Sequence, residues 1–216
     1  MKAVSLISGG IDSPVSTYLM QRSGVEVLPL HMDNSPYSGS VEVDKALKII
    51  KRLEEKNARC IKSYVLPHGP NQDAFFNSCN RKLACVLCKR MMLRAAEMVA
   101  ERVGADAIIT GDSIGQVASQ TLQNLYVETQ AVDIPIIRPL IGFDKNETIE
   151  IARRIGTYEI SIIPGSGCSA VPKKPATGAN LDDILLEEEK VDITALLEDM
   201  REEFECDVPS PSGKSS

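Results

Sequence analysis

Two small groups of residues in this chain could do chemistry. The first is Ser8-Gly9-Gly10-Ile11-Asp12-Ser13, where an apolar run from Ala3 to Ile7 stops and a helical segment starts near Pro14. Glycines without side chains, two hydroxyls and the N–H groups of a helix start form a loop that attracts an anion, most naturally phosphate. Proline suits the first turn of that helix, where its missing N–H costs nothing. The spacing is neither G-x-x-x-x-G-K-[ST] nor G-x-G-x-x-G, so two common nucleotide loops are excluded. The plainer reading is a Gly-Gly turn between strand and helix. The second group is Cys85-Val86-Leu87-Cys88. A C-x-x-C pair lets two thiolates reach one centre, and it serves zinc, a dithiol or an iron–sulfur cluster. It is expected immediately before a helix, whose N-terminus favours the thiolate.

The elements that must position these groups alternate in kind. Short apolar runs at Ala3–Ile7, Val25–His31, Cys60–Leu66, Ala107–Thr110 and Ile134–Ile137 read as strands. Val41–Lys56 carries Val43, Ala46, Leu47, Ile50 and Leu53 at helical period, and Cys88–Val103, Gly115–Leu125 and Asp144–Ile155 also read as helices. Asp144 and Glu147 make a capping box, and Gly156 ends that last helix. Pro67–Asn80 is expected to be irregular or only briefly helical. This alternation predicts an α/β fold, a Rossmann-like parallel sheet with helices on both faces. Ligands in such sheets sit at the carboxyl ends of strands, at a switch in strand order. Ser8–Ser13, His31–Asp33 and Gly111–Ser113 all obey that rule.

Composition sets the frame. The chain has 216 residues, enough for one domain with a sizeable core. No apolar run is long enough to span a membrane, and the glycine loop begins too early for a signal peptide, so the expected location is the cytoplasm. Six cysteines in that compartment suggest metal or redox chemistry more than disulfides. Net charge is −6, unevenly spread: Leu181–Asp207 carries 12 acidic and 2 basic residues, leaving residues 1–180 at +3. A mildly basic body leaves a polyanionic partner open. The expected division is a nucleotide domain at 1–177 and an acidic, helical tail at 178–216 with a disordered end. Ile184, Leu185, Ile193, Leu196 and Leu197 could dock that tail on the body.

Ser-Gly-Gly-x-Asp-Ser resembles the PP-loop of the ATP pyrophosphatases, which split ATP between its α and β phosphates. From Gly111 onward the resemblance narrows. GDSIGQVASQTLQNL and IPIIRPLIGFDKNETIEIARRIGTYEISI are similar to the PP-loop domain of the 4-thiouridine synthetase (ThiI) family, tRNA-modifying sulfurtransferases. The similarity runs from Met1 to about Thr177. It implies the adenine nucleotide alpha-hydrolase-like fold and ATP with Mg²⁺ as cofactors. Leu6 and Ile7 match backbone contacts to the nucleotide. Ser8, Gly9, Gly10, Asp12 and Ser13 match the pyrophosphate loop, with Asp12 a Mg²⁺ partner. His31 and Met32 match the adenosine-contacting strand end, Lys89 an ATP-contacting lysine, and Gly111 and Gln120 further nucleotide contacts. Cys168 falls at the family's reactive cysteine. The family's THUMP RNA-binding region and rhodanese domain have no counterpart in this sequence, so a separate RNA-binding partner and a sulfur donor, sulfide or persulfide, are expected. A homodimer is implied by the resemblance alone.

With Cys168 the cysteines become a set. Cys85, Cys88 and Cys168 are one thiolate short of a closed Cys₄ site. They suit a [4Fe–4S] cluster with an open iron, or a [3Fe–4S] cluster, as in archaeal-type members of the family without a rhodanese domain. A Cys88–Cys168 persulfide or disulfide pair, zinc and inert thiols are the other readings. Cys79 reads as a spectator, with an occasional fourth ligand as the other reading, Cys206 as a free surface thiol and Cys60 as a small core residue, and His68 has no role. The expected activity is an ATP-dependent tRNA sulfurtransferase that adenylates uridine and then exchanges AMP for sulfur, with Cys168, Asp12 and Cys88 as catalytic residues. The rivals are a related enzyme acting on a thiazole precursor or carrier protein, and a non-catalytic nucleotide or iron–sulfur subunit.

Overall fold

The computed structural model describes residues 1–57, 61–116 and 119–207. Five strands, β1 (Lys2–Leu6), β2 (Glu26–Asp33), β3 (Tyr64–Pro67), β4 (Ala107–Ile109) and β5 (Ile136–Ile137), form one parallel sheet in the order β3-β2-β1-β4-β5. From β1 the chain first builds outward through β2 and β3. It then returns to lay β4 on the other side of β1. The strand order therefore reverses between β1 and β4, and their carboxyl ends open a crevice there.

Both faces of the sheet are covered, as its continuously apolar strands require. On one face α1 (Asp12–Arg22), α2 (Ser40–Asn57) and α6 (Lys145–Ile155) bury Ile7, Val15, Ile49, Leu53, Leu140 and Ile155. On the other, α4 (Ala84–Val103) is the central element, packing Leu87, Met91 and Val99 against Val4, Leu30, Leu66 and Ile108. Flanking it are α3 (Gly69–Ser78) and α5 (Leu122–Thr129). The short α7 (Tyr158–Ser161) follows α6, whose Asp144–Glu147 capping box is formed in both directions and whose end is Gly156 at φ 77°.

The acidic segment forms α8 (Leu181–Glu188) and α9 (Ile193–Asp207), which lie on the α4 side. Ile184, Met200 and Phe204 are buried in the same core as Met91 and Leu66. Glu188 fixes the contact electrostatically: its carboxylate oxygens take hydrogen bonds from Arg90 at 2.8 and 2.9 Å and from Arg94 at 2.6 and 2.8 Å. Among the described residues, no helix is long and apolar enough to cross a membrane.

Three elements differ from the sequence reading. The 67–80 stretch holds a ten-residue helix, α3. Its inward face is mostly polar, with Asn71 and Gln72 buried beside Phe75, so no apolar period betrays it. Helix α5 begins at Leu122 rather than Gly115, because Gly115 has φ 75° and Thr121 supplies the cap, accepting from Asn124 N. Helix α4 begins at Ala84, ahead of the expected start, behind a 3₁₀ turn capped by the Asn80 side chain. Cys85 and Cys88 are consequently inside its first turns.

Candidate active site

The crevice at the β1/β4 switch contains a cavity of about 220 Å³. Nine of the expected nucleotide contacts line it: Leu6, Ile7, Ser8, Gly10, Asp12, Ser13, Lys89, Gly111 and Gln120. Gly9, His31 and Met32 are not among its lining residues. Gly9 is buried against Glu42 and Lys45 of α2. His31 and Met32 are buried at the end of β2, where His31 Nδ1 lies 2.9 Å from the Ile7 carbonyl oxygen and ties the two strand ends together.

The loop is shaped by its own hydroxyls. Ser8 N–H donates to Ser13 Oγ at 2.8 Å, Gly10 N–H donates to Ser8 Oγ at 3.2 Å, and the two hydroxyl oxygens stand 3.1 Å apart. The first N–H groups of α1, with no partner inside the helix, remain to meet an anion. Gly111 lies hard against this helix start: a Cβ there would be 2.7 Å from Ser13 N. Only glycine lets β4 end so close to the loop. Ser16 Oγ, donating 2.7 Å to the Thr110 carbonyl, holds the same two elements together.

Charge is concentrated on the far wall. Lys89 Nζ contacts Asp112 Oδ1 at 2.8 Å and Glu128 Oε2 at 3.5 Å, and Thr110 Oγ1 donates to Asp112 Oδ2 at 2.8 Å. Burial acts to lower the Lys89 pKa, but the two carboxylates outweigh it and hold it above the usual value. Burial would raise Asp112; Lys89, Thr110 and Arg138 outweigh it and hold that carboxyl down. Glu128 is different. Burial pushes it up to about 7, and its Oε1 is buried with no hydrogen-bond partner. At the cavity's mouth Lys145 Nζ sits 2.7 and 2.9 Å from the two Asp12 oxygens.

The cysteines gather beside this cavity. Cys88 immediately precedes Lys89, so thiol and cavity share one turn of α4. Cys168 rides on a loop hooked to the segment after β2, with Ser169 N–H donating to the Tyr37 carbonyl at 2.8 Å and Gly39 N–H to Ser166 Oγ at 3.0 Å. Burial raises the Cys85 and Cys88 thiols, Cys88 furthest, and the charge of Cys168 pushes both higher still. The expected helix-terminus stabilisation of the thiolate is therefore overridden by desolvation. Among the described residues, no three His, Cys, Asp or Glu side chains are gathered so as to hold a single metal ion. A polynuclear cluster asks for something looser, thiols on different irons around a shared volume, and three cysteines within reach of each other's charge suit that. Cys79 stands apart, its Sγ 3.2 Å from the Glu187 carbonyl oxygen. Cys60 and the Cys206 side chain lie outside the described residues.

Three residues at the site carried no expected role, and Asp112 was expected only as part of the Gly111–Ser113 strand end. Lys145 and Glu128 are revealed only by the ion pairs that tertiary structure makes. His68, buried at the end of β3, places Nε2 3.2 Å from Cys88 Sγ.

A sequence profile of the family described as thiamine biosynthesis protein (ThiI) matches residues 1–193. A protein of Methanosarcina acetivorans named a probable tRNA sulfurtransferase is 48% identical over 197 residues, covering 91% of this chain and 48% of that protein. One of the same name from Thermoanaerobacter pseudethanolicus is 42% identical over 204 residues, covering 94% of this chain and 53% of its own. The chain thus spans about half the length of the curated relatives it matches. Among solved structures, a 4-thiouridine synthetase in complex with RNA and bound ATP superposes with a TM-score of 0.88 at 38% identity, over 92% of this chain and 53% of that one. The NMN synthetase of Francisella tularensis, at 17% identity and a TM-score of 0.56, shares the fold.

Proposed function

The chain belongs to the ThiI family, and from that premise we propose that it is the PP-loop part of an ATP-dependent tRNA sulfurtransferase that makes 4-thiouridine. The observation that carries the proposal is one of adjacency: consecutive residues of α4 serve two sites, Cys88 the thiols and Lys89 the nucleotide cavity.

In this reading ATP lays its phosphates on the Ser8–Ser13 loop and the start of α1, whose N–H groups and positive end offset their charge. Lys89 on the cavity wall and Lys145 paired with Asp12 add cationic charge. The O4 of a uridine attacks the α-phosphorus, the bond to the β-phosphate breaks, and pyrophosphate leaves. Adenylation turns O4 into part of an AMP leaving group. Sulfur then bonds to C4 and AMP departs, so the base must first be unstacked to reach the crevice. Asp12 is the residue for Mg²⁺, which would screen the phosphates when bound.

Cys85, Cys88 and Cys168 are the residues that would hold an iron–sulfur cluster, whose chemistry is to bind and deliver sulfide. Three thiols within reach of each other's charge, one short of a closed Cys₄ site, support that assignment over zinc. The sulfur source, a separate RNA-binding partner, a homodimer and a cytoplasmic location complete the proposal. The test is anaerobic turnover of unmodified tRNA with ATP, Mg²⁺ and sulfide, read as ATP-dependent formation of 4-thiouridine.

A further inference from the structure

His68 is 0% exposed and sits where β3 ends, its N–H extending the ladder by donating to the Asp33 carbonyl at 2.6 Å. The backbone there is fixed, and so is the ring. Asn71 Nδ2 lies 3.0 Å from His68 Nδ1 and 3.3 Å from Met200 Sδ. A thioether can only accept, which orients the amide with its NH₂ toward both groups. His68 Nδ1 is therefore an acceptor. A ring whose Nδ1 accepts is the neutral imidazole with its single proton on Nε2. That proton faces Cys88 Sγ at 3.2 Å.

The sulfur it faces is otherwise poorly served. Among the described residues, the other hydrogen-bond contact of Cys88 Sγ is Met92 Sδ at 4.0 Å, which brings no charge. Away from water, a single aimed N–H counts for more than it would at a surface. Hydrogen bonds to ligand sulfurs tune iron–sulfur potentials and orient the ligands. We propose that His68, locked by Asn71 into the Nε2–H tautomer, is a positioning residue for the sulfur chemistry: it donates a hydrogen bond to Cys88 Sγ, aims that sulfur and stabilises negative charge on it. The inference deepens the sulfur-transfer reading above and rests on it for its purpose, but the hydrogen bond stands on geometry alone.

The chain has two histidines, which makes the bond directly observable. In full-length protein labelled with ¹⁵N-histidine, nitrogen–proton NMR of the cluster-free state should show one imidazole as the neutral Nε2–H form, with its Nε2 resonance moved by Cys88→Ser. Both imidazoles in the Nδ1–H form, or no response to Cys88→Ser, overturns the proposal. In anaerobically reconstituted protein, the cluster's reduction potential should fall in His68→Leu, return toward wild type in His68→Gln, and fall in Asn71→Leu, which leaves the ring and the sulfur chemically unaltered. Equal potentials in all four proteins overturn it. Wild-type protein that takes up no iron sinks the cluster assignment instead. The sulfur is then read by alkylation: Cys88 should react about tenfold more slowly relative to Cys85 in His68→Leu, with His68→Gln near wild type. Equal rates overturn the proposal.

Discussion

Lys145 Nζ holds Asp12 between its two carboxylate oxygens at 2.7 and 2.9 Å, joining the start of α6 to the start of α1. The pair stands at the edge of the Ser8–Ser13 loop and is partly exposed, so its value lies in placing charge rather than in stability. Lys145→Met should slow ATP-dependent pyrophosphate release about 10²-fold while leaving the melting temperature near wild type. Asp12→Asn should do the same, and the double variant should be little worse than either. Unchanged release in Lys145→Met would remove this lysine from the chemistry.

Gly111 is the point of closest approach between β4 and the loop. A methyl group there meets backbone atoms of Ser13 at 2.7 and 2.8 Å, which cannot swing aside as a side chain would. Gly111→Ala should cost about 1–3 kcal/mol of stability and weaken ATP binding together. Gly142→Ala, which meets nothing within 4 Å, is the control and should fall within about 0.5 kcal/mol of wild type. Thermal melts and ATP calorimetry on both variants decide it.

Glu128 gives the cavity a pH signature. Burial raises its carboxyl from an ordinary 4.5 to about 7. The folded state thus holds this proton more tightly than the unfolded chain. Its contribution favours folding below pH about 4.5 and is lost as pH rises through about 7. Glu128→Gln, neutral at every pH, should be more stable than wild type at pH 8, with the advantage shrinking toward pH 5. A constant difference across that range would show that the carboxyl does not titrate there.

The alternation of strands and helices was legible because periodicity and glycine loops are local. The crevice follows from them: Ser8–Ser13 and Gly111 are both strand-end segments, and the sheet brings them together. What stayed hidden was pairing across the chain. Lys145 reads as one more lysine in a helix's first turn until Asp12, 133 residues away, is beside it. His68 sits in a Pro/Gly-flanked stretch with nothing to mark it, because Cys88 lies on another element. Helix α3 was masked by buried Asn71 and Gln72, polar residues turned inward to serve His68 and Asn34. The thiol ionisation expected from a helix start failed for a reason no local pattern carries, since desolvation depends on what packs over the sulfur.

Glu188 ties the acidic C-terminal helices to α4. Arg90, 1% exposed, has this carboxylate as its ion partner, and Arg94 shares it. Burial works to raise the Glu188 pKa, but the hydrogen bonds from Arg94 and Arg90 bring it to about 2. Its stabilising contribution is present above pH about 4.5 and lost as pH falls toward 2. Glu188→Ala strands a buried guanidinium and should cost about 3–5 kcal/mol at neutral pH. Urea melts at pH 7 and pH 3 test both statements: the penalty should shrink at pH 3, and a pH-independent penalty would contradict them.

The sulfurtransferase reading is tested most directly by product. Protein purified and reconstituted without oxygen is incubated with ATP, Mg²⁺, sulfide and unmodified transfer RNA, and the nucleosides are resolved by mass spectrometry. The expected result is a 4-thiouridine peak that requires ATP and disappears in Cys168→Ala, while that variant still releases pyrophosphate. Wild-type protein that binds ATP and carries its cluster, yet leaves every uridine unthiolated even with an added RNA-binding partner, would contradict it.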